Sequence, residues 1–168
     1  YSESTRKIAR KINDFSLDAG ILYYDDGDRD TTVKLYEERY VFIAPKALIT
    51  SKEKEITWTE VAQIPLCLLT PNMKNRQLID KHFLDLGISP KIVTEASDFT
   101  AVVAQVAGGN AATIAPVSVA ETFLDLKSTI QLDLTHPVMT HSVGLSIKDQ
   151  SPVLPMIEAL RYAVRLAL

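Results

Sequence analysis

Residues 101–123, AVVAQVAGGNAATIAPVSVAETF, contain two helical patterns separated by one short apolar run. The double glycine at 108–109 predicts the end of the first helix, because glycine adopts positive φ without a steric clash at Cβ. The apolar run 111–115 predicts a buried strand covered on both faces. Pro116 favours a bend from that strand into a second helix, 117–123. The segment therefore predicts a helix–strand–helix unit of an α/β fold.

The same alternation extends over most of the chain. Hydrophobic periodicity predicts helices at 3–13, 59–62, 72–87, 98–107 and 152–168, and strands at 17–24, 32–36, 39–44, 65–69, 90–95, 129–134 and 141–148. Asp98 is the expected N-cap or first-turn residue of its helix, and Ser151 is the expected N-cap of the last helix with Pro152 as its first residue. Such alternation is typical of parallel βαβ units with helices on both faces of the sheet.

Composition excludes several classes of protein. The chain has 168 residues, of which 46% are hydrophobic and 23% charged, which is ordinary for a globular protein. A net charge of −3 argues against a nucleic-acid-binding surface on this chain. We find no apolar run long enough for a membrane span and no signal peptide at the start. The single cysteine, Cys67, fits a reducing compartment, so we expect a cytoplasmic location.

Five segments, taken together, resemble the effector domains of LysR-type transcriptional regulators. QVAGGNAATIAPVSVA, residues 105–120, resembles the family pattern V-A-A-G-x-G-x-A-I-L-P. NDFSLDAGILY (13–23), LYEERYVFIAP (35–45), ITWTEVAQIPL (56–66) and LGISPKIVTEAS (86–97) resemble four further family segments, in the same order and spacing. One departure is Ala111, which stands where the family often has a second glycine.

The resemblance implies an α/β fold of the two-lobed periplasmic-binding-protein-like class (type II), with a Rossmann-like sheet flanked by helices in each lobe. It places lobe one at 1–44 and 142–168 and lobe two at 45–141. It also implies that the family's helix-turn-helix and the start of lobe one are absent from this chain. A small effector is expected in the cleft between the lobes. The expected partners are a second copy of the chain, as a dimer or higher oligomer, and DNA only through the missing N-terminal domain, with no membrane.

The start of the helix at 72–87 carries the most informative candidate site residues. Thr70, Asn72 and Asn75 offer neutral hydrogen-bond donors, and Arg76 offers a charged fork that suits a carboxylate. Unpaired backbone N–H groups at a helix start also attract anions. Asn72 could instead act only as an N-cap, and Arg76 could be an ordinary surface residue.

Further candidates follow other predicted strands. Ser97 and Thr100 offer hydroxyl donors, whereas Phe99 packs either on the ligand or in the core. Ile114 and Pro116 are expected in the wall of the pocket, and Tyr23 is expected to bring a hydroxyl group from lobe one. A small carboxylate or another anion is the favoured effector.

Catalytic and metal-binding patterns are missing from the sequence. His82, His136 and His141 do not have metal-ligand spacing, and AGGNAA lacks the Lys-Ser/Thr of a phosphate-binding loop. We therefore expect no metal, no cofactor and no catalytic residues. The predicted function is a ligand-sensing effector domain that modulates DNA binding. The alternatives are a solute-binding protein of a transporter, or an enzyme on the same fold that would need Glu95 and Asp98 as its carboxylates.

Overall fold

A computed structural model of the protein describes residues 4–24, 32–49, 54–123, 128–148 and 154–167. The helices are α1 (Thr5–Asn13), α2 (Trp58–Val61), α3 (Lys74–Asp85), α4 (Phe99–Ala107), α5 (Val117–Phe123) and α6 (Pro155–Ala167). The strands are β1 (Ala19–Tyr23), β2 (Thr32–Pro45), β3 (Glu55–Thr57), β4 (Leu66–Leu69), β5 (Ile92–Ala96), β6 (Thr113–Pro116), β7 (Thr129–Thr135) and β8 (Thr140–Ile147). The chain divides into two compact units, residues 1–37 with 141–168, and residues 38–140.

The first unit contains β1 and β8, which pair in antiparallel fashion. Helix α1 packs closely on β1, since a Cβ added at Gly20 would lie 2.5 Å from Cγ2 of Ile8. Glycine at this position therefore permits the close approach of helix and strand. Ile12 of α1 is buried with Leu22 and Tyr24 in the core that results.

Helix α6 of the first unit begins at Pro155, three residues later than the sequence pattern predicts for its first residue. The predicted cap, Ser151, and the predicted first residue, Pro152, lie outside the described residues. Ile157 of this helix is buried against strand β8, whereas the preceding residue, Met156, is exposed. Proline is a favoured first helical residue, because an N–H at that position would have no acceptor within the helix and proline has none to lose. Pro155 takes this position in α6.

The second unit contains a sheet in which one strand runs against all the others. β2 pairs antiparallel with both β6 and β7, while β3 pairs parallel with β7. β4 pairs parallel with β5, and a parallel bridge between Leu66 and Ala112 joins β4 to the residues just before β6. The expectation of parallel strands is therefore correct for β3, β4, β5, β6 and β7. It is wrong for β2 and for the antiparallel pair β1 and β8 of the first unit.

Strand β2 also corrects a predicted break. Residues 32–36 and 39–44 were expected as two pieces, but Thr32–Pro45 forms one strand. The two polar residues at the predicted break and the one directly after it each have a partner. Glu37 accepts a hydrogen bond from Ser142, Glu38 accepts one from Ser118, and Arg39 pairs with Asp133.

The segment that decides the fold closes helix α4 as predicted. Gly109 has φ of +80°, and its N–H donates to the carbonyl of Val106 at 3.0 Å. The N–H of Asn110 donates to the carbonyl of Gln105 at 3.4 Å. These two bonds form a Schellman motif, which satisfies carbonyl groups at the end of the helix. The chain then enters β6, where all four residues, Thr113–Pro116, are buried.

We expect that Gly109→Ala lowers the free energy of unfolding by about 1 kcal/mol, because a Cβ is strained at positive φ. Gly109→Asn is the matched control, since asparagine tolerates this backbone conformation better than alanine. Urea denaturation of both variants measures the difference. Equal losses for alanine and asparagine would contradict the account of the helix end.

Candidate functional site

Three strands of the second unit end on the same edge, and a helix follows each of them. β4 and β5 are parallel, and the bridge at Leu66 gives β6 the same direction. β4 leads into α3, β5 into α4 and β6 into α5. We call this the carboxyl edge and define it by the strand ends Leu69, Ala96 and Pro116 with the helix starts that follow. Ligands of open α/β sheets bind at such edges.

Helix α3 begins at the carboxyl edge without a side-chain cap. Its N-cap residue is Met73, whose side chain makes no cap hydrogen bond to the first turn. The interpretation of Asn72 as an N-cap is therefore wrong. The N–H of Thr70 donates to the carbonyl of Ala96 at 3.0 Å, which ties the ends of β4 and β5 together. Thr70 is half-buried and Asn72 is exposed, so both side chains are accessible to solvent.

Arg76 is buried in the first turn of α3, not exposed on the surface. Its Nη1 donates to the carbonyl of Leu69 at 2.9 Å and to Oε1 of Glu95 at 2.7 Å, and its Nε donates to Oδ1 of Asp80 at 2.7 Å. Burial alone would lower the pKa of Arg76, but its bonds to Glu95 and Asp80 outweigh that effect and raise the pKa above its ordinary value. The guanidinium group is therefore charged, and two carboxylates of the protein balance its charge.

Asn75 is also committed to a contact inside the protein. Its Nδ2 donates to the hydroxyl of Tyr40 at 3.1 Å, and both residues are buried. This bond ties the first turn of α3 to β2. Together with the bonds of Arg76, it fixes the start of α3 against β2, β4 and β5.

Helix α4, in contrast, has a side-chain cap. Oδ1 of Asp98 accepts the N–H of Ala101 at 2.9 Å, and the Ser97 hydroxyl donates to Oδ2 of Asp98 at 3.2 Å. The prediction of Asp98 as an N-cap is confirmed. The bond from the Ala101 N–H lowers the pKa of Asp98, so the cap contributes stability at neutral pH and loses it as the pH falls through that lowered pKa.

The remaining predicted site residues have different surroundings. Phe99 packs half-buried between two apolar clusters, and Thr100 is exposed beside it in the first turn of α4. Ile114 is only 1% exposed and belongs to the main core of the second unit. Pro116 is buried where β6 pairs with Tyr40 of β2. The effector-binding roles of these four site residues stay predictions.

Tyr23 lies in the first unit, at the end of β1. Its ring packs against the ring of His141 with a centroid distance of 5.6 Å. Tyr23 is half-buried. The role of its hydroxyl group in effector binding stays a prediction.

Two features of the second unit were not predicted from the sequence. Thr57 caps α2, and Glu60 accepts from the backbone N–H of Thr57, which together make a capping box. The spacing Thr-x-x-Glu could have revealed it. The second feature is the bond from the Ser118 hydroxyl to Oε1 of buried Glu38 at 3.0 Å, for which the sequence offers no local signal because the residues are far apart in the chain.

Among residues 4–24, 32–49, 54–123, 128–148 and 154–167, no group of three or more His, Cys, Asp or Glu side chains could hold a metal ion. Within the same described ranges, no helix is long and apolar enough to cross a membrane. The sole cysteine, Cys67, is buried in β4, and burial raises the pKa of its thiol. A buried thiol with a raised pKa is a poor nucleophile at neutral pH.

We compared the chain with known protein structures and protein families. The effector-binding domain of QuiR in complex with shikimate matches with a TM-score of 0.83 and 20% identity, covering 99% of this chain and 79% of that one. The regulatory domain of CcmR from Synechocystis PCC6803 in complex with 2-PG matches with a TM-score of 0.84 and 12% identity, covering 98% and 80%. Full-length CbnR complexed with its target DNA matches with a TM-score of 0.78 and 16% identity, covering 98% and 56%.

These structural matches confirm the predicted α/β fold of the periplasmic-binding-protein-like class. No curated protein sequence matches the chain significantly. The sequence profile of the LysR substrate binding domain matches residues 1–167, which confirms the resemblance found in the five segments. The chain belongs to the LysR substrate binding domain family.

Proposed function

We propose that this chain senses a small anionic metabolite, which binds at the carboxyl edge of the second unit at the start of α3. The observation that carries the proposal is the absence of a side-chain cap on α3. In any α-helix the first backbone N–H groups have no acceptor within the helix, and the helix dipole favours a negative charge beside them. An anionic group of the effector supplies the cap that the N-cap residue Met73 does not.

Because carboxylates of the protein already balance the charge of Arg76, we propose that neutral hydrogen-bond donors bind the effector. Arg76 was expected to bind the effector directly, but its guanidinium already contacts Glu95 and Asp80. We propose that Arg76 instead holds the start of α3 in position. The first backbone N–H groups of α3, with the side chains of Thr70 and Asn72, then bind the anion.

The start of α4 is a weaker anion site for a simple reason. Asp98 places its own carboxylate there and accepts the N–H of Ala101. A second negative charge at this position would be repelled by Asp98. We therefore propose that Ser97 and Thr100 contribute hydroxyl contacts to the effector and not the site for its charge.

The remaining site residues are proposed as supporting contacts. They are Tyr23, Asn75, Phe99, Ile114 and Pro116. We keep the lobe boundaries 1–44 with 142–168, and 45–141, as part of the same proposal. The small molecules bound by QuiR and CcmR support a small-molecule effector for this chain as well.

An effector can regulate only if it binds one arrangement of the protein more tightly than another. We propose that this preference is passed to a DNA-binding helix-turn-helix of the same regulator, in a cytoplasmic dimer or higher oligomer. The complex of CbnR with its target DNA supports the DNA-binding role. The domain is proposed to act without catalysis. Of the two carboxylates that an enzyme would need, Glu95 pairs with Arg76 and Asp98 caps α4.

A thermal-shift panel of carboxylic acids, each paired with its neutral primary amide, tests the charge preference. We expect some acids to raise the melting temperature while their amides do not. Asn72→Ala and Thr70→Val should each weaken binding of such an acid by about tenfold, the loss expected for one hydrogen bond to a charged group. Asn110→Ala is the control, because Asn110 is exposed before β6, at its opposite end. Amides that stabilise as well as their acids would contradict the proposal.

A further inference from the structure

A cavity lies in the second unit, among residues that are not at the carboxyl edge. It has a volume of about 230 Å³. Its described lining residues are Leu48, Ile49, Glu55, Ile56, Glu60, Ile64 and Leu132. They come from the segment after β2, from β3, from α2 and the residues that follow it, and from β7.

The floor of this cavity is apolar. Ile56 and Leu132 are buried members of the main core, and Ile49 and Ile64 pack partly buried against that core. Apolar cavities of about 150 Å³ already hold a benzene-sized ring. The floor therefore suits an aromatic ring or a short branched alkyl group.

The rim of the cavity is acidic. Glu55 and Glu60 are exposed, and no lysine, arginine or histidine is among the described lining residues. Hydrogen bonds from Thr57 lower the pKa of Glu60, so this carboxylate is ionised at neutral pH. The side-chain and backbone bonds from Thr57 both end on Oε2 of Glu60, so they leave Oε1 available to another donor.

We infer that this cavity binds a small apolar molecule that carries a protonated amine, with its apolar part on Ile56 and Leu132 and its ammonium group between Glu55 and Glu60. Burial of the apolar part supplies most of the affinity, and the two carboxylates set the preference for a cation. This ligand has the opposite charge to the effector proposed at the start of α3. The inference does not depend on that effector, because the two sites share no residue.

Benzylamine is the probe, with benzyl alcohol and benzoate as neutral and anionic molecules of similar shape. The chain has one tryptophan, Trp58, which belongs to the same core cluster as Ile56 and Leu132, so its fluorescence is followed during the titration. We expect saturable binding of benzylamine, weaker binding of benzyl alcohol and the weakest binding of benzoate. A thermal shift measured in parallel should give the same order.

Two variants separate the floor from the rim. Ile49→Phe should abolish benzylamine binding by filling the cavity. Glu55→Gln, a surface change that preserves folding, should weaken binding about fivefold, as expected for an exposed ion pair. Glu121→Gln on α5 is the matched control and should leave binding unchanged. The inference is overturned by benzoate binding as well as benzylamine, by no saturable binding of benzylamine, or by unchanged binding to Glu55→Gln.

Discussion

Arg76→Met is expected to lower the free energy of unfolding by about 3 kcal/mol, the lower end of the range for breaking a buried ion pair. The Arg76 side chain is 8% exposed, and its loss leaves the carbonyl of Leu69 without this donor. Glu95 and Asp80 are 42% and 41% exposed, so water can hydrate both carboxylates after the substitution, which moderates the loss. Denaturant titration followed by Trp58 fluorescence gives the measurement.

A double-mutant cycle assigns this loss to the ion pair. Arg76→Met with Glu95→Gln should be less destabilised than the sum of the two single variants, because the double variant leaves neither a guanidinium nor a carboxylate of this pair without its partner. Arg76→Lys should fall between methionine and the native residue, since an ammonium group cannot make the three bonds of the guanidinium in the same geometry. Strict additivity of the pair, or a loss below about 1 kcal/mol for methionine, would contradict a structural role for Arg76.

Phe83→Ala is expected to lower the free energy of unfolding by about 4 kcal/mol, because it removes a buried aromatic side chain and leaves a cavity. Phe83 is 2% exposed, and its ring meets Trp58 edge to face with a centroid distance of 5.0 Å. The same variant should change the emission of Trp58, since that ring loses a direct neighbour. Denaturant titration and fluorescence spectra measure the two effects.

The next residue of α3 is a matched control. Leu84 is 78% exposed, so Leu84→Ala should change the free energy of unfolding by no more than about 0.5 kcal/mol. Both changes remove a large apolar side chain from neighbouring positions of one helix, and the two side chains differ sharply in burial. A loss at Leu84 as large as that at Phe83 would mean that α3 faces the core with a different side.

The two ends of α4 show which part of the fold could be predicted from the sequence. Local chemistry determines where α4 ends, because Gly109 takes a positive φ that few other residues adopt easily. Local chemistry also determines the start of α4, where Asp98 caps the first turn. The pairing direction of β2 is not local. It depends on contacts with β6 and β7, which lie far along the chain, so the sequence pattern alone predicted a parallel sheet and a break in β2.

The candidate site also has features that could be predicted from the sequence and features that could not. The sequence correctly predicted a helix after β4, and Thr70 and Asn72 lie directly before it. Their role in effector binding stays a prediction. The pairing of Arg76 with Glu95 could not be predicted, because Glu95 belongs to a strand and not to α3, and only the packing of β5 beside β4 brings it within 2.7 Å. The sequence alone does not distinguish a buried arginine from a surface arginine. Because Arg76 is buried and paired, we propose that it positions the start of α3, whereas the sequence led us to expect that it binds the effector.

The central claim is that an anionic effector binds the backbone N–H groups at the start of α3. Its most direct test is an amide NMR titration with the tightest-binding acid from the thermal-shift panel. We predict that the largest chemical-shift changes occur at the amides of Lys74, Asn75 and Arg76, and that they are lost with the matching neutral amide. Largest changes at the capped start of α4, or changes of equal size with the neutral amide, would contradict the claim.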